Sequence, residues 1–88
     1  MAWVIRFTTR ADKDLSKLGS SDRARVLGFL NDRIRLLEDP RSMGKALQGE
    51  FAGMWRYRVG DIRIIVRLEY DVLVVLVLEV GNRRDVYR

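Results

Sequence analysis

The sequence predicts an α+β fold with the element order β-α-α-β-β-β, in which an antiparallel-rich sheet carries a helical hairpin on one face. Three observations predict it. Apolar residues recur at helical spacing between Ala11 and Leu37 and nowhere later. From Met54 onward the apolar period changes to two. The 88 residues allow one modest core, so the chain reads as a single domain spanning 1–88.

Each element has its own signal. Residues 3–8 carry β-branched and aromatic side chains and read as the first strand. Thr9-Arg10-Ala11-Asp12 resembles a capping box with Asp in place of Glu, and Ala11, Leu15 and Leu18 fall on one face of a short helix that Gly19 stops. Ser20, Ser21 and Asp22 offer N-caps for a second helix with the stripe Val26, Leu27, Leu30, Ile34 and Leu37. Phe29 and Leu36 lie off that stripe and are candidates for partner contacts or helix–helix packing, with packing the favoured reading. Asp39-Pro40 ends the helix, because the residue before proline avoids the α region. Residues 41–53, with three glycines, read as a loop. Trp55, Tyr57 and Val59 then point one way and Arg56 and Arg58 the other. After a tight turn at Gly60-Asp61, Ile62, Ile64, Val66 and Leu68 form a core face opposite Arg63, Ile65, Arg67 and Glu69. Residues 72–80 are apolar on both faces and read as a central strand. Gly81-Asn82 breaks it, and a basic tail closes the chain.

Composition narrows the chemistry. The chain has no cysteine and no histidine, which excludes disulfides, thiolate zinc sites, cysteine nucleophiles, imidazole acid–base chemistry and the Ser-His-Asp triad. Its carboxylates are scattered without metal-ligand spacing, so neither metal nor cofactor is expected. Net charge is +5, and of 17 basic residues only Lys13, Lys17 and Lys45 are not arginine. Arginine grips phosphate bidentately and stacks on bases, so this skew favours a nucleic-acid partner. No leader peptide, lipidation motif or membrane span is readable, and the expected compartment is the cytoplasm.

The arginines cluster on the face away from the helices. Arg56 and Arg58 share one side of a strand, Arg63 faces them across the turn, and Arg83 and Arg84 follow the last strand with Tyr87 close behind. Singly, each would read as a solvated face. Trp55 and Tyr57 match the apolar side and read as core, and Arg67 as a cross-strand partner of Glu69 or Glu79. Together the guanidinium groups suit an RNA backbone. RNA carries its own nucleophile, the 2′-hydroxyl, so a protein need only orient it and neutralise charge on the phosphorane. Arginine serves the second task but is a poor base, because its pKa exceeds about 12. Tyr87 is the local group able to orient the hydroxyl or accept its proton.

Two segments carry a family resemblance. Gly53-Met54-Trp55-Arg56-Tyr57-Arg58-Val59-Gly60-Asp61-Ile62-Arg63-Ile64-Ile65 resembles the central segment of RelE-like toxins of type II toxin–antitoxin systems, and Val80-Gly81-Asn82-Arg83-Arg84-Asp85-Val86-Tyr87 resembles their closing motif. The resemblance covers nearly the whole chain. It implies a small, cytoplasmic, metal-independent RNase that enters the ribosomal A site and cuts mRNA by 2′-hydroxyl attack. It also implies a cognate antitoxin, with operator DNA bound by the toxin–antitoxin complex. By position, Arg63 and Arg83 match arginines that contact the phosphate and Tyr87 the tyrosine that contacts the nucleotide. Arg56 and Arg58 match basic strand residues that are often lysines, Arg84 adds a further RNA contact, and Asn82 stands where many members carry histidine. ParE-like toxins share the fold but poison DNA gyrase. Arg56, Arg63, Arg83 and Tyr87 fit the RNase branch better. A non-catalytic nucleic-acid-binding module is the third reading.

Overall fold

The computed structural model describes residues 2–82. Strand β1 (Val4–Phe7) leads into helices α1 (Thr9–Lys17) and α2 (Ser20–Asp32), and these into strands β2 (Lys45–Ala46), β3 (Trp55–Val59), β4 (Ile62–Glu69) and β5 (Val74–Asn82). The sheet order is β1-β5-β4-β3-β2. β1 runs parallel to β5, and the other pairs are antiparallel. This is the expected α+β architecture, with one strand more than the sequence predicts. β2 has two residues, too few to display a period.

The helical hairpin forms where the stripes place it, with the caps one residue displaced. Thr8, not Thr9, caps α1, its Oγ1 accepting from Ala11 N–H at 3.0 Å. Gly19 itself is the N-cap of α2. Arg23, from the first turn of α2, donates to the Leu15 and Leu18 carbonyls at 3.0 and 2.9 Å, a second bond for the Leu15 carbonyl, which also accepts Leu18 N–H, and so ties α2 to the end of α1. α2 ends at Asp32, earlier than Asp39-Pro40, and a 3₁₀ turn over Ile34–Leu36 carries the chain on. Asn31 and Asp32 are weak helix-interior residues, and the tighter turn keeps Ile34 fully buried. Phe29, expected in helix packing, stands edge-on to Tyr57 of β3 with ring centroids 5.8 Å apart, and Leu36 is exposed.

Ala11, Leu15, Val26, Leu30 and Ile34 meet Tyr57, Ile62, Ile64, Val66, Val75, Val77 and Val80 in one core. Tyr57 is fully buried, and its hydroxyl donates to the Pro40 carbonyl at 2.8 Å. Trp55 is half-buried against the same core. Residues 72 and 73 belong to the β4–β5 turn, not to the strand: Val72 is exposed and Leu73 has φ 54°.

Two local features orient the opposite face. Gly60 has φ 59° at the first central position of the β3–β4 turn, a conformation that glycine adopts without strain, which gives a two-residue hairpin and fixes the register. A bulge lies between Ile65 and Val66, whose partners are Glu79 and Val77, leaving Leu78 as the extra residue. The bulge shifts the alternation of β5 by one. Val75, Val77 and Val80 reach the core while Glu79 turns outward beside Ile65.

Candidate nucleic-acid interface

The register assembles the basic face. Arg58 lies directly opposite Arg63, and Arg56 opposite Ile65. The short β2 sets Lys45 directly opposite Arg56. Directly paired residues project to the same side of a sheet, so Lys45, Arg56, Arg58 and Arg63 form one cationic patch on the side away from the helices. Like charges placed directly opposite one another are unfavourable in a sheet unless they are neutralised. Lys45, Arg56 and Arg58 lie beside Arg63 on this face, an arrangement that suits a polyanion. Arg56 is half-buried, and its Nε finds no hydrogen-bond partner among the described residues. Arg63 is 5% exposed, held between β3 and β5, with Gly81 as its β5 partner.

Of the residues read from sequence, the structure therefore brings together Arg56, Arg58 and Arg63. Arg83, Arg84 and Tyr87 lie outside the described residues. β5 carries the chain as far as Asn82, opposite Ile62, and so to the Arg63 end of the face. That run is held on its outer edge by α1, since β1 stops at Phe7. Thr8 Oγ1 donates to the Leu78 carbonyl at 3.0 Å, and Asp14 Oδ2 accepts Val80 N–H at 3.0 Å.

Sequence reasoning missed three parts of the site. Lys45 sits in a stretch read as loop, and only its pairing with Arg56 reveals it. Ile65 is fully buried, although it shares a face with the arginines. It floors a pocket of about 310 Å³ walled by Phe51, Met54, Leu78, Thr8, Arg10 and Glu79. Glu79 pairs with Arg10 (Nη1 to Oε1, 3.2 Å), not with Arg67 as its strand position suggested. Among the described residues no three His, Cys, Asp or Glu side chains gather as a metal site, and no helix is long and apolar enough to cross a membrane.

Comparison with known proteins places the chain in a class, the RelE/ParE-type toxins. The chain belongs to the family described as the ParE toxin of the type II toxin–antitoxin system parDE, whose model matches residues 5–87. It is 36% identical over 88 residues to Toxin RelG of Mycobacterium tuberculosis, covering 100% of this chain and 99% of that one. Its structure is similar to the RelBE2 toxin–antitoxin complex of M. tuberculosis, with TM-score 0.86, 33% identity, and 97% and 95% of the two chains covered. It is also similar to the intact RelBE toxin–antitoxin complex of E. coli, with TM-score 0.73, 28% identity, and 92% and 96% covered.

Proposed function

We propose that this toxin is a metal-independent endoribonuclease that cuts mRNA in the ribosomal A site and is restrained by a cognate antitoxin. The observation that carries the reading is the Arg58–Arg63 pair, flanked by Arg56 and Lys45 on one sheet face. The similarity to proteins named RelG and RelBE supports the RNase branch. Arg63, with Arg83 from the tail, holds the scissile phosphate. Arg58, Arg56 and Arg84 hold the flanking backbone, and Tyr87 orients the attacking nucleotide. The 2′-hydroxyl loses its proton and forms the O2′–P bond, the P–O5′ bond breaks, and the departing 5′-oxygen takes up a proton. Guanidinium groups fixed around the phosphorane stabilise its added charge without reorganising at the moment of reaction.

Solved relatives are toxin–antitoxin complexes, which supports an antitoxin partner here. Its segment would lie over the apolar groove or the basic face as a helix or strand, and the complex would bind operator DNA. The expected compartment is the cytoplasm, where mRNA and ribosomes meet the toxin.

Translation in a purified system, with primer extension on the message, tests the reading. Codon-phased cuts are expected from the wild-type chain. They should fall by about 10²–10³ in rate or more when Arg63→Ala and Arg83→Ala are combined. The description of the matching family favours one other reading, a ParE-like gyrase poison. Intact mRNA with gyrase-dependent DNA breaks would establish it. Salt-sensitive RNA binding with neither effect would leave a binding module.

A further inference from the structure

Cleavage leaves one proton without a donor. The departing 5′-oxygen must take one up, and most groups on the basic face have none to give. Arginine releases its proton only above about pH 12. A carboxylate is already ionised at neutral pH. The chain has no histidine and no cysteine, Tyr57 is buried in the core, and Tyr70 stands beyond the far end of β4 against Trp3. In the proposed reaction Tyr87 is engaged with the attacking nucleotide. A lysine ammonium, which ordinarily titrates near pH ~10.4, holds its proton at neutral pH yet is acidic enough to give it to a departing alkoxide. Of the three lysines, Lys13 and Lys17 sit on α1, and Lys45 alone stands on the sheet.

β2 has only two residues, yet the chain on both sides of Lys45 is tied down. Before it, the Tyr57 hydroxyl donates to the Pro40 carbonyl at 2.8 Å, and Gly44 lies so close to Tyr57 that a Cβ there would stand 3.0 Å from the ring. After it, Leu47 N–H donates to the Met54 carbonyl at 3.0 Å. Lys45 is thus fixed opposite Arg56, which makes Arg58 its diagonal neighbour at a backbone separation of roughly 7–8 Å. Arg63 stands directly opposite Arg58. The Lys45 side chain is exposed and flexible, so its ammonium reaches from the β2 side toward a phosphate that the arginines grip from the β4 side.

We infer that Lys45 is the general acid of cleavage, its ammonium giving a proton to the departing 5′-oxygen. The inference rests on the RNase reading and adds the proton donor that arginine cannot be. As the O2′–P bond forms, the P–O5′ electron pair moves to O5′, which takes the proton from Nζ. The 2′-hydroxyl proton passes to water, and the neutral amine regains a proton from water.

Two messages test it in the purified translation system, one all-oxygen and one with sulfur in place of the bridging 5′-oxygen at the mapped cut site. A thiolate leaves without being protonated, so the sulfur message bypasses the acid. Lys45→Arg keeps the charge but loses the proton donor, and thermal melting checks that it folds. It should cut the all-oxygen message about 10²–10³-fold more slowly than the wild type, and the sulfur message within about threefold of it. Arg56→Ala, which loosens the hold on the RNA backbone, should slow both messages by a similar factor. Lys45→Arg cutting the all-oxygen message at the wild-type rate, or losing the same factor on both messages, would overturn the acid and leave the RNase reading standing. A wild-type chain that cuts neither message overturns the RNase reading, and the acid with it.

Discussion

Arg58 is the residue at which stability and function pull apart most plainly. It faces Arg63 across two strands, with Lys45 and Arg56 paired beside it. On the proposed reading these cations are kept for RNA. Arg58→Thr supplies a good strand former at an exposed position, so it should leave Tm unchanged or raise it by up to roughly 2–5 °C while weakening RNA binding. Differential scanning calorimetry and an RNA titration read the two effects separately, and a drop in Tm would contradict the argument. Tyr57 has a purely structural role. Burial is the main cause pushing its phenol well above the ordinary tyrosine range, with Tyr70 and Asp39 adding to it. The folded state thus keeps the phenol neutral where the unfolded chain, titrating at about 10, would ionise it. Its contribution is complete below about pH 10 and is lost as pH rises through the folded value. Tyr57→Phe should flatten that alkaline limb of a urea-unfolding series, and should cost about 1–3 kcal/mol at neutral pH because the Pro40 carbonyl loses its donor.

At the scale of elements, the decisive piece is the far end of β5. β1 covers only its first half, so α1 takes over the exposed edge with Thr8 and Asp14. Asp14 also contacts Arg10, at 3.6 Å, and Arg10 holds Glu79, so the helix ties the end of the strand to the pocket. Asp14→Ala should destabilise by about 2 kcal/mol, the worth of a hydrogen bond to a charged acceptor, while Asp14→Asn keeps an acceptor and should lose much less. Urea midpoints at constant m-value distinguish the two. Most elements were legible beforehand because each carried its own period or cap. The stripes of α1 and α2, the alternation in β3 and β4, and the Gly60-Asp61 turn are local signals. What escaped was not local. β2 exists only through its pairing with β3, α2 tightens into a 3₁₀ turn that keeps Ile34 in the core, and the β5 bulge is visible only against β4.

On the scale of the whole molecule, the site was legible to the extent that strand alternation could place it. Arg56, Arg58 and Arg63 meet as their parity requires. The pocket was invisible, because Ile65 looked like an apolar residue on a polar face and Glu79 like a partner for Arg67. Only the bulge turns Glu79 outward beside Ile65, and only the packing of α1 brings Arg10 to it. The fold thus divides its labour. One face of the sheet is committed to the core beneath the helices, and the other gathers Lys45, Arg56, Arg58 and Arg63. On the proposed reading, a chain lacking histidine and cysteine relies on the RNA for its nucleophile and on arginine for charge stabilisation. The most direct measurement of that claim places a single 2′-deoxynucleotide at the mapped cut site of a ribosome-bound message. The account predicts that cutting there stops, while the all-ribose message yields fragments ending in a 2′,3′-cyclic phosphate. Equal cutting of the deoxy-substituted message would show that the nucleophile comes from elsewhere.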